Sequence, residues 1–236
     1  MVKTLGGRLL SLGVGLFLFT VGAGPLRAAD EAGFQPMFDG KTLAGWDGNP
    51  KFWRVEDGTI VGQTTKEVPT PGNTFLIWTG GKPADFDLRA EFKLTNHNSG
   101  IQFRSWEKPD ERWRVLGYQA DMDGSEHWTG GLYGEGYRGV LAVHGQKVVI
   151  GENHKPTVVE TFGDEKTMLS YIHHADWNTY EIIARGNHII QKVNGHLTID
   201  ATDEDAMARK DGIIALQLHA NQPMKVQFRN LRLKTL

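Results

Sequence analysis

The chain has 236 residues, a formal net charge of −2 and no cysteine. A charge so close to zero gives no sign of nucleic-acid or anionic-membrane binding. The absence of cysteine excludes disulfides, thiol chemistry and cysteine-ligated metal sites. The length suits one large domain with a core of its own. We therefore expect a single folded domain with no nucleic-acid partner and no nucleotide or organic cofactor.

The N-terminal segment has the pattern of an export signal. Two basic residues precede the apolar run Leu9–Val21, which is too short for a comfortable membrane span, and small residues such as Ala28 follow it. We predict a secretory signal peptide at residues 1–28 and one mature domain at residues 29–236. That domain is expected in the periplasm or secreted, free of the membrane after cleavage. An uncleaved N-terminal anchor is the alternative.

Alternating apolar and polar residues predict short strands through the rest of the chain. Phe86–Leu94 is the clearest, because its apolar side chains fall on one face and its charged side chains on the other. Asp57-Gly58 and Asn194-Gly195 are hairpin-turn signals. Many such segments with almost no helical periodicity predict an all-β fold, an antiparallel two-sheet β-sandwich or jelly roll.

The predicted elements share short length and turn residues at their ends. In chain order they are a strand and turn over Phe34–Trp46, a hairpin over Phe52–Gly62, strands at Phe75–Trp78, Phe86–Leu94, Ile101–Trp106 and Gly117–Asp123, a strand pair over Gly139–Ile150 about Gly145, an irregular segment over Gly151–Ala175, a hairpin over Trp177–Asp200, one helical turn within Thr202–Lys210, a strand at Gly212–His219 and a closing strand over Met224–Leu233 with a bulge near Asn230.

One stretch, Gly117 to Gly134, concentrates groups that can meet a polyhydroxylated ligand. Alternation puts Gln119, Asp121 and Asp123 on one face of a strand. The glycine-rich run that follows adds a carboxylate, an imidazole and two aromatic rings, at Glu126, His127, Trp128 and Tyr133. His127 and Trp128 belong either to a mobile lid or to an ordinary exposed loop.

Two other strands carry polar side chains on the face that points away from the core. Gln102 and Arg104 follow Ile101, and Gln217 and His219 lie on the strand from Gly212. If these strands share one concave sheet with the Gly117–Gly134 stretch, their polar side chains converge.

Metal-binding patterns are weak. Residues 121–126, DMDGSE, begin like a calcium loop but lack the later ligands at the right spacing. The same residues resemble the E-x-D-x-x-E strand of lectin-like glucanases, with Asp121 in place of the first glutamate and Gly124 weakening the strand. His173 and His174 are adjacent, so their rings point apart on any regular element and do not form a metal pair.

An ordered set of motifs resembles a known family. FDGKTLAGW, FWRVEDGTIVG, FDLRAEFKL, NSGIQFR, GYQADMDG, TGGLYG, WNTYEIIARGNHIIQKVNG and LQLHA with VQFRNLRL occur in that order between Phe34 and Leu236. Together they resemble the 3-keto-disaccharide hydrolase domain family. The resemblance implies a concanavalin A-like lectin/glucanase sandwich and an exported enzyme that acts on glycosides already oxidised to a ketone at sugar C3. Fold alone would license no function, because this fold also hosts lectins and glycosidases.

The implied substrate defines the chemistry required. A ketone at C3 acidifies the proton on C2, so a base can remove it and the aglycone can leave C1 by β-elimination. Addition of water to the resulting enone completes a net hydrolysis. This route needs a base near C2, an acid near the leaving oxygen and a cation or divalent metal that stabilises the enolate.

Candidate residues exist for each role. Asp121 and His219 are candidates for the base, and either is also a possible ligand of a divalent metal. Arg104 is the candidate cation for the enolate. Glu135 and His144 are candidates for the acid and for substrate contact. The remaining expected carbohydrate contacts are Gln102, Gln119, Gln217, Trp128 and Tyr133.

Other interpretations stay open at this stage. His219 is equally well a hydrogen-bonded structural histidine, and Arg104 equally well pairs with a neighbouring carboxylate. A non-catalytic carbohydrate-binding module predicts amides and aromatic rings in the groove with ionisable groups scattered. A glycosidase with two catalytic carboxylates predicts two carboxyl groups about 5–5.5 Å apart.

Overall fold

The computed structural model describes residues 1–2, 32–125 and 127–236. Nearly all of the predicted signal peptide, and Glu126, lie outside the described residues. In the described ranges, no helix has the length and apolar character needed to cross a membrane.

The described chain is built almost wholly of strands. They are β1 (Gln35–Pro36), β2 (Trp46–Asp47), β3 (Trp53–Glu56), β4 (Thr59–Thr64), β5 (Thr74–Trp78), β6 (Phe86–Leu94), β7 (Asn98–Glu107), β8 (Val115–Asp123), β9 (Leu132–Glu135), β10 (Gly139–Ala142), β11 (Gln146–Ile150), β12 (Pro156–Thr161), β13 (Asn178–Arg185), β14 (His188–Val193), β15 (His196–Asp203), β16 (Ile213–Leu218) and β17 (Met224–Thr235). A 3₁₀ turn at Glu152–His154 and the short helix α1 (Glu165–Leu169) complete the elements.

Two sheets face each other. Among the described strands, one sheet runs β12-β11-β15-β14-β13-β6-β17-β4-β3, with β1 paired to β17, and the other runs β10-β9-β8-β7-β16-β5-β2. Neighbouring strands pair antiparallel, except that β11 and β15 are parallel. The predicted all-β, antiparallel two-sheet β-sandwich is confirmed.

The core lies between the sheets, and alternation decides which side chains enter it. On β16, Ile214, Leu216 and Leu218 join the main core cluster. Because successive side chains of a strand point to opposite faces, Gln217 projects from the outer face of the seven-stranded sheet. That outer face positions the site described below.

Several turn predictions are confirmed. Asp57 and Gly58 join β3 to β4 with positive φ values of 50° and 73°, as a two-residue hairpin turn of the mirror-image type requires. The bulge expected near Asn230 is present, because the β17–β6 register shifts between Arg229 and Arg232 and Asn230 has a φ of 52°.

Three local predictions need correction. The strands on either side of Gly145 are not a pair, because β10 pairs with β9 in one sheet while β11 pairs with β12 and β15 in the other. Residues 202–210 hold no helix, since β15 continues to Asp203 and is followed by a single turn in which Ala208 N donates to the backbone oxygen of Asp205 at 2.9 Å. The segment 151–175, expected to be loop with short strands, does contain the exposed edge strand β12, but it also contains helix α1, which was not predicted.

Candidate functional site

The pairing register of three strands places the key polar side chains side by side. Gln119 on β8 lies opposite Tyr133 on β9 and opposite Gln102 on β7. Residues directly opposite on neighbouring strands share a face of the sheet. Asp121, two residues after Gln119, therefore lies on the same outer face, as does Glu135, two residues after Tyr133.

A groove of about 580 Å³ opens on this face. Its wall carries two exposed apolar side chains, Trp128 and Val140, which suit contact with the apolar face of a sugar ring. The groove is lined by Asn73, Asn98, Arg114, Gln119, Asp121, Asp123, Trp128, Tyr133, Glu135, Gly136, Val140 and His219.

Asp121 is the most perturbed acid of the groove. Its side chain is 8% exposed, and burial raises the pKa of its carboxyl from 3.8 to about 8. The nearby charges of Glu135 and Asp123 add to the rise in this pKa, whereas hydrogen bonds from Gln119 and Asn98 oppose it. A carboxyl group with a pKa near neutrality can take up or give up a proton at physiological pH.

A chain of buried amides holds Asp121 in place. Gln119 Nε2 donates to Asp121 Oδ1 at 2.6 Å and to Gln217 Oε1 at 3.4 Å. Gln102 Nε2 donates to Gln119 Oε1 at 2.6 Å, and Ser105 Oγ donates to Gln102 Oε1 at 2.9 Å. Each amide is held by the next. The buried side chains beneath the groove therefore fix the orientation of the Gln119 amide toward Asp121.

A second carboxylate sits in a contrasting environment. Arg114 Nη2 lies 2.9 Å from Glu135 Oε1, and Asn73 Nδ2 donates to the same oxygen at 3.1 Å. These contacts fix the Glu135 carboxyl group beside the Arg114 guanidinium. The Arg114 Nη1 atom is buried and has no hydrogen-bond partner among the described residues. Burial, followed by the charges of Glu135 and Asp121, raises the pKa of Tyr133 above its ordinary value.

His219 follows β16 and reaches the same groove. Its Nδ1 donates to the backbone oxygen of Ala220 at 2.9 Å, which leaves Nε2 as the acceptor of the neutral ring. The His97 ring packs against it, with centroids 4.5 Å apart. Asp121 and His219 therefore line one groove, on strands that are almost 100 residues apart in the chain.

The chain matches the family described as the 3-keto-alpha-glucoside-1,2-lyase-like domain over residues 33–234. The chain belongs to this family. No match was found among curated proteins. The resemblance seen in the sequence motifs is thereby confirmed, over the same part of the chain.

Solved structures share the architecture. A candidate glycosyl hydrolase from Parabacteroides distasonis ATCC 8503 has 18% identity and a TM-score of 0.56, covering 86% of this chain and 94% of that chain. The carbohydrate binding module CBM66 from Bacillus subtilis has 16% identity and a TM-score of 0.52, covering 80% and 95%. The Bacillus licheniformis beta-glucanase has 13% identity and a TM-score of 0.52, covering 86% and 97%. At these identities the likeness shows the fold, a concanavalin A-like jelly roll, and nothing more.

Six of the ten predicted site residues line the groove of this family member. They are Gln119, Asp121, Trp128, Tyr133, Glu135 and His219. Gln102 and Gln217 are completely buried and act beneath the groove, through their hydrogen bonds with Gln119. Because both side chains are buried, they cannot touch a ligand in the groove directly, which corrects their predicted contact with carbohydrate.

Arg104 is not in the groove, which corrects the expectation that it shares a face with Gln102. The β7–β8 register shifts between Phe103 and Trp106, and Arg104 has a φ of 46°. This bulge turns Arg104 away and puts Ser105 beside Gln102. The Arg104 guanidinium instead bonds the backbone oxygens of residues 84 and 186 at 2.8 and 2.6 Å. Its role is to tie loops at the end of the sandwich.

His144 is also separated from the other candidates, which corrects its expected place in the groove. Its Nδ1 donates to the backbone oxygen of Thr129 at 2.8 Å. It lines a separate cavity of about 240 Å³ together with His127 and Glu165, which bond to each other. His144 therefore does not line the groove that holds Asp121.

The metal hypothesis receives no support from the geometry. Over the part of the chain that the structure describes, no three histidine or acidic side chains lie close enough to hold a metal ion. Asp121 and His219 lack a third such ligand there, and Asp121 accepts a hydrogen bond from an amide instead. We therefore derive no step through a metal.

Sequence reasoning missed Arg114 and Asn73. Arg114 lies immediately before β8, and alternation continued upstream from Asp121 assigns it to the opposite face of the strand, so the pattern that found Gln119 and Asp121 could not find Arg114. Asn73 precedes β5 beside glycine and proline residues, and nothing in its local sequence distinguishes it from an ordinary loop amide.

Proposed function

We propose that the protein cleaves glycosides whose sugar ring carries a ketone at C3, by proton abstraction from C2 and elimination at C1. Membership of the 3-keto-alpha-glucoside-1,2-lyase-like domain family supports a carbohydrate-active function. The observation that carries the finer proposal is the buried Asp121 carboxyl, with a pKa of about 8, in one groove with the Arg114 guanidinium. A weak carbon acid needs such a base and such a cation.

Asp121 is the base. Its ionised form takes the C2 proton, and the electron pair of the C2–H bond moves toward the C3 carbonyl to form an enolate. Because the pKa of Asp121 is raised by burial, its carboxylate is a stronger base than an exposed aspartate would be. The hydrogen bond from Gln119 Nε2 to Asp121 Oδ1 orients the carboxyl group of Asp121 toward the groove.

Arg114 takes the role that the sequence had suggested for Arg104. Its Nη2 is held by Glu135, and its buried Nη1 lacks a partner in the described protein. The Arg114 side chain is 24% exposed and lines the groove, so its positioned guanidinium can stabilise the oxygen on which the enolate charge develops. Glu135 then positions the guanidinium.

His219 supplies the proton for the leaving oxygen. When the enolate collapses, its electron pair forms the C1–C2 double bond and the C1–O bond breaks toward oxygen. The leaving oxygen takes a proton from a protonated imidazole, and water added to C1 of the enone gives the 3-keto sugar. The hydrogen bond of Nδ1 to Ala220 fixes the ring for this exchange through Nε2.

The test is release of aglycone from oxidised and unoxidised forms of the same glycoside. The proposal expects release from a 3-keto-glucoside, incorporation of deuterium from heavy water at C2 of the product, and loss of both in Asp121→Asn. Failure of the purified protein to release aglycone from any 3-keto substrate would reject it. Addition of a chelator separates this route from a metal-dependent one.

A glycosidase with two catalytic carboxylates is the second candidate. The observation that favours it is the presence of two carboxyl groups in one groove: Asp121, whose pKa of about 8 keeps it protonated at neutral pH, and Glu135, which lies beside the Arg114 guanidinium. Such a pair can serve as general acid and nucleophile. Equal or faster release from the unoxidised glycoside would favour this candidate. Binding without any release would favour a carbohydrate-binding module.

Export is a separate proposal that rests on the basic and apolar pattern of residues 1–28. Sequencing the N-terminus of the protein recovered outside the cytoplasm checks it. A mature chain that begins near residue 29 is the expected result, and retention of residue 1 would contradict cleavage.

A further inference from the structure

Two strands without an outer partner lie at one flank of the sandwich. Among the described strands, β12 is the last strand of the ten-stranded sheet and β10 is the last strand of the seven-stranded sheet. Residues 143–145 connect β10 to β11, which pairs with β12, so the two open edges lie at the same flank. An open edge presents backbone donors and acceptors to which a strand of another chain can add.

Exposed apolar side chains concentrate at this flank. Apart from the chain ends and the two side chains that line the groove, the large apolar side chains that are exposed in the described residues are Val68, Val143, Val158, Val159 and Met207. Val158 and Val159, in the middle of β12, are 47% and 59% exposed, and Val143 lies in the connection between the sheets. Such a concentration is typical of a protein–protein contact.

Met207 belongs to the same flank, whereas Val68 does not. Asp205, which precedes Met207, accepts the backbone N–H of His154 at 2.8 Å, and this bond ties the Met207 segment to the start of β12. Val68 lies in the loop between β4 and β5, which pair with β3 and β2 at the opposite edges of the two sheets. Four of these five side chains therefore lie at the flank that carries β12.

The opposite edges of the two sheets are better protected. β2 has two residues and β3 has four, and Arg54 and Glu56 on β3 form an exposed ion pair at 2.7 Å. Short length and charged side chains are devices that keep an edge strand from adding another strand. β12 has six residues, all of them exposed. It begins with Pro156 and has a bulge in its register with β11, but the two valines at its centre are uncovered.

The charges at the two ends of β12 are complementary. Lys155 precedes the strand with an extended backbone, and Glu160 is next to its last residue. Both residues are exposed, and neither has an ion-pair partner within the part of the chain that the structure describes. Lys147 lies opposite Glu160 on β11, but its Nζ lies 3.5 Å from Asp200 Oδ2. An antiparallel pair of β12 strands centred on the valines would bring Lys155 of each copy near Glu160 of the partner subunit.

We propose that the chain forms a homodimer by antiparallel pairing of its β12 strand with β12 of a second copy. A two-fold axis needs a surface that is complementary to itself, and β12 has an apolar centre with opposite charges at its two ends. The pairing joins the two ten-stranded sheets into one and covers Val158 and Val159. β12 lines no part of the groove, so this inference is independent of the proposed reaction.

Sedimentation velocity of the purified protein, over a dilution series from about 1 mM to about 1 μM, tests the dimer. One strand pair with its flanking side chains is a small contact, so we expect a dimer that dissociates within this range. A protein that stays monomeric at every concentration overturns the proposal and leaves the edge to a different partner.

Val159→Lys is the test variant, and Val68→Lys is its matched control. Both valines are exposed, at 59% and 41%, so neither change disturbs the core. Val159→Lys puts a positive charge into the apolar centre of the contact on each copy, so the dissociation constant should rise by about tenfold or more. Val68→Lys should keep the wild-type constant. Equal dissociation constants of all three proteins would place the contact elsewhere and overturn the proposal.

Charge reversal in low-salt buffer tests the antiparallel direction. Lys155→Glu and Glu160→Lys each put like charges together at both ends of the strand pair, so each should weaken the dimer by about three- to tenfold. The double variant restores opposite charges and should return the dissociation constant to within about twofold of the wild-type value. A double variant that dimerises no better than the single variants overturns the antiparallel pairing.

Discussion

Gln119 donates a 2.6 Å hydrogen bond to the carboxyl of Asp121, two residues along the same face of β8. This bond favours the ionised carboxylate, while burial of the same group favours the protonated acid and outweighs it, so that the pKa of Asp121 rises to about 8. The hydrogen bond thus fixes the position of the Asp121 carboxyl group, and the balance between this bond and burial sets its pKa.

The raised pKa predicts how stability depends on pH. The unfolded chain loses the Asp121 proton near its ordinary pKa of 3.8, whereas the folded protein keeps it up to about 8. The folded state therefore binds the extra proton between these values, and stability falls as pH rises through that window. Asp121→Asn cannot ionise, so its unfolding free energy relative to wild type should rise by on the order of a few kcal/mol across the window.

Urea unfolding of both proteins at about pH 5 and about pH 8 measures this difference. Other titrating groups affect both proteins equally and cancel in the comparison. A difference that is the same at the two pH values would show that Asp121 is not held protonated by burial.

The same pKa predicts the pH dependence of catalysis. If Asp121 removes the C2 proton, kcat/KM follows the fraction of ionised carboxylate and rises about tenfold for each pH unit over the range below the pKa of about 8. If Asp121 acts instead as the acid of a two-carboxylate glycosidase, kcat/KM falls above that pH. In Asp121→Asn the rate should drop by roughly 10²–10⁴-fold and lose this titration. The direction of the pH–rate profile decides between the two roles.

Arg114 is predicted to act in the transition state. Removing one positioned donor from a developing oxyanion typically lowers kcat by roughly 10²–10³-fold, so Arg114→Met should lower kcat by about that factor and change KM much less. Arg185→Met is the control, because Arg185 is exposed at the end of β13 in the other sheet. Steady-state kinetics on a 3-keto-glucoside measure both. A rise in KM with kcat intact would mean that Arg114 only binds substrate.

Arg104 is predicted to matter for stability and not for chemistry. Its guanidinium is 1% exposed and bonds two backbone oxygens from separate loops. Arg104→Met removes the buried donor of these two oxygens, which should lower the unfolding free energy by about 1–3 kcal/mol. Denaturant unfolding measures the loss, and kcat per folded molecule should stay at the wild-type value. A hundredfold loss of kcat in a folded Arg104→Met protein would contradict this prediction and indicate that Arg104 takes part in the chemistry.

The contrast between Asp121 and Arg104 shows what a sequence can reveal about this site. Gln119 and Asp121 were placed correctly because β8 alternates without interruption from Tyr118 to Asp123. Arg104 was misplaced because β7 contains a bulge at a non-glycine residue with positive φ, and no residue type there announces it. One inserted residue reverses every side chain beyond it.

Long-range pairing sets the second limit. The chain around Gly145 looks like a hairpin, but β11 leaves for the other sheet because its partner β15 lies about 50 residues further along the chain. Local turn signals carry no information about such a partner. The approach of His219 to Asp121 also depends on pairing between strands that are distant in the chain. The sequence predicted it only on the condition that the two strands belong to one sheet.

Gly100 packs directly against the Gln119 side chain, so a substitution there is predicted to change the pKa of Asp121 through Gln119. It lies opposite Asp121 across the β7–β8 pair, and a Cβ there would lie 2.4 Å from Cγ of Gln119 and 2.6 Å from its Cδ. Gly100→Ala must therefore displace Gln119 and weaken its hydrogen bond to Asp121. Overpacking of this kind costs about 1–3 kcal/mol of stability. Since the lost bond favoured the carboxylate, the midpoint of the pH–rate profile should move above its wild-type value. Gly151→Ala, where a Cβ meets nothing within 4 Å, should keep the wild-type midpoint, and an unshifted midpoint in Gly100→Ala would show that Gln119 does not tune the acid.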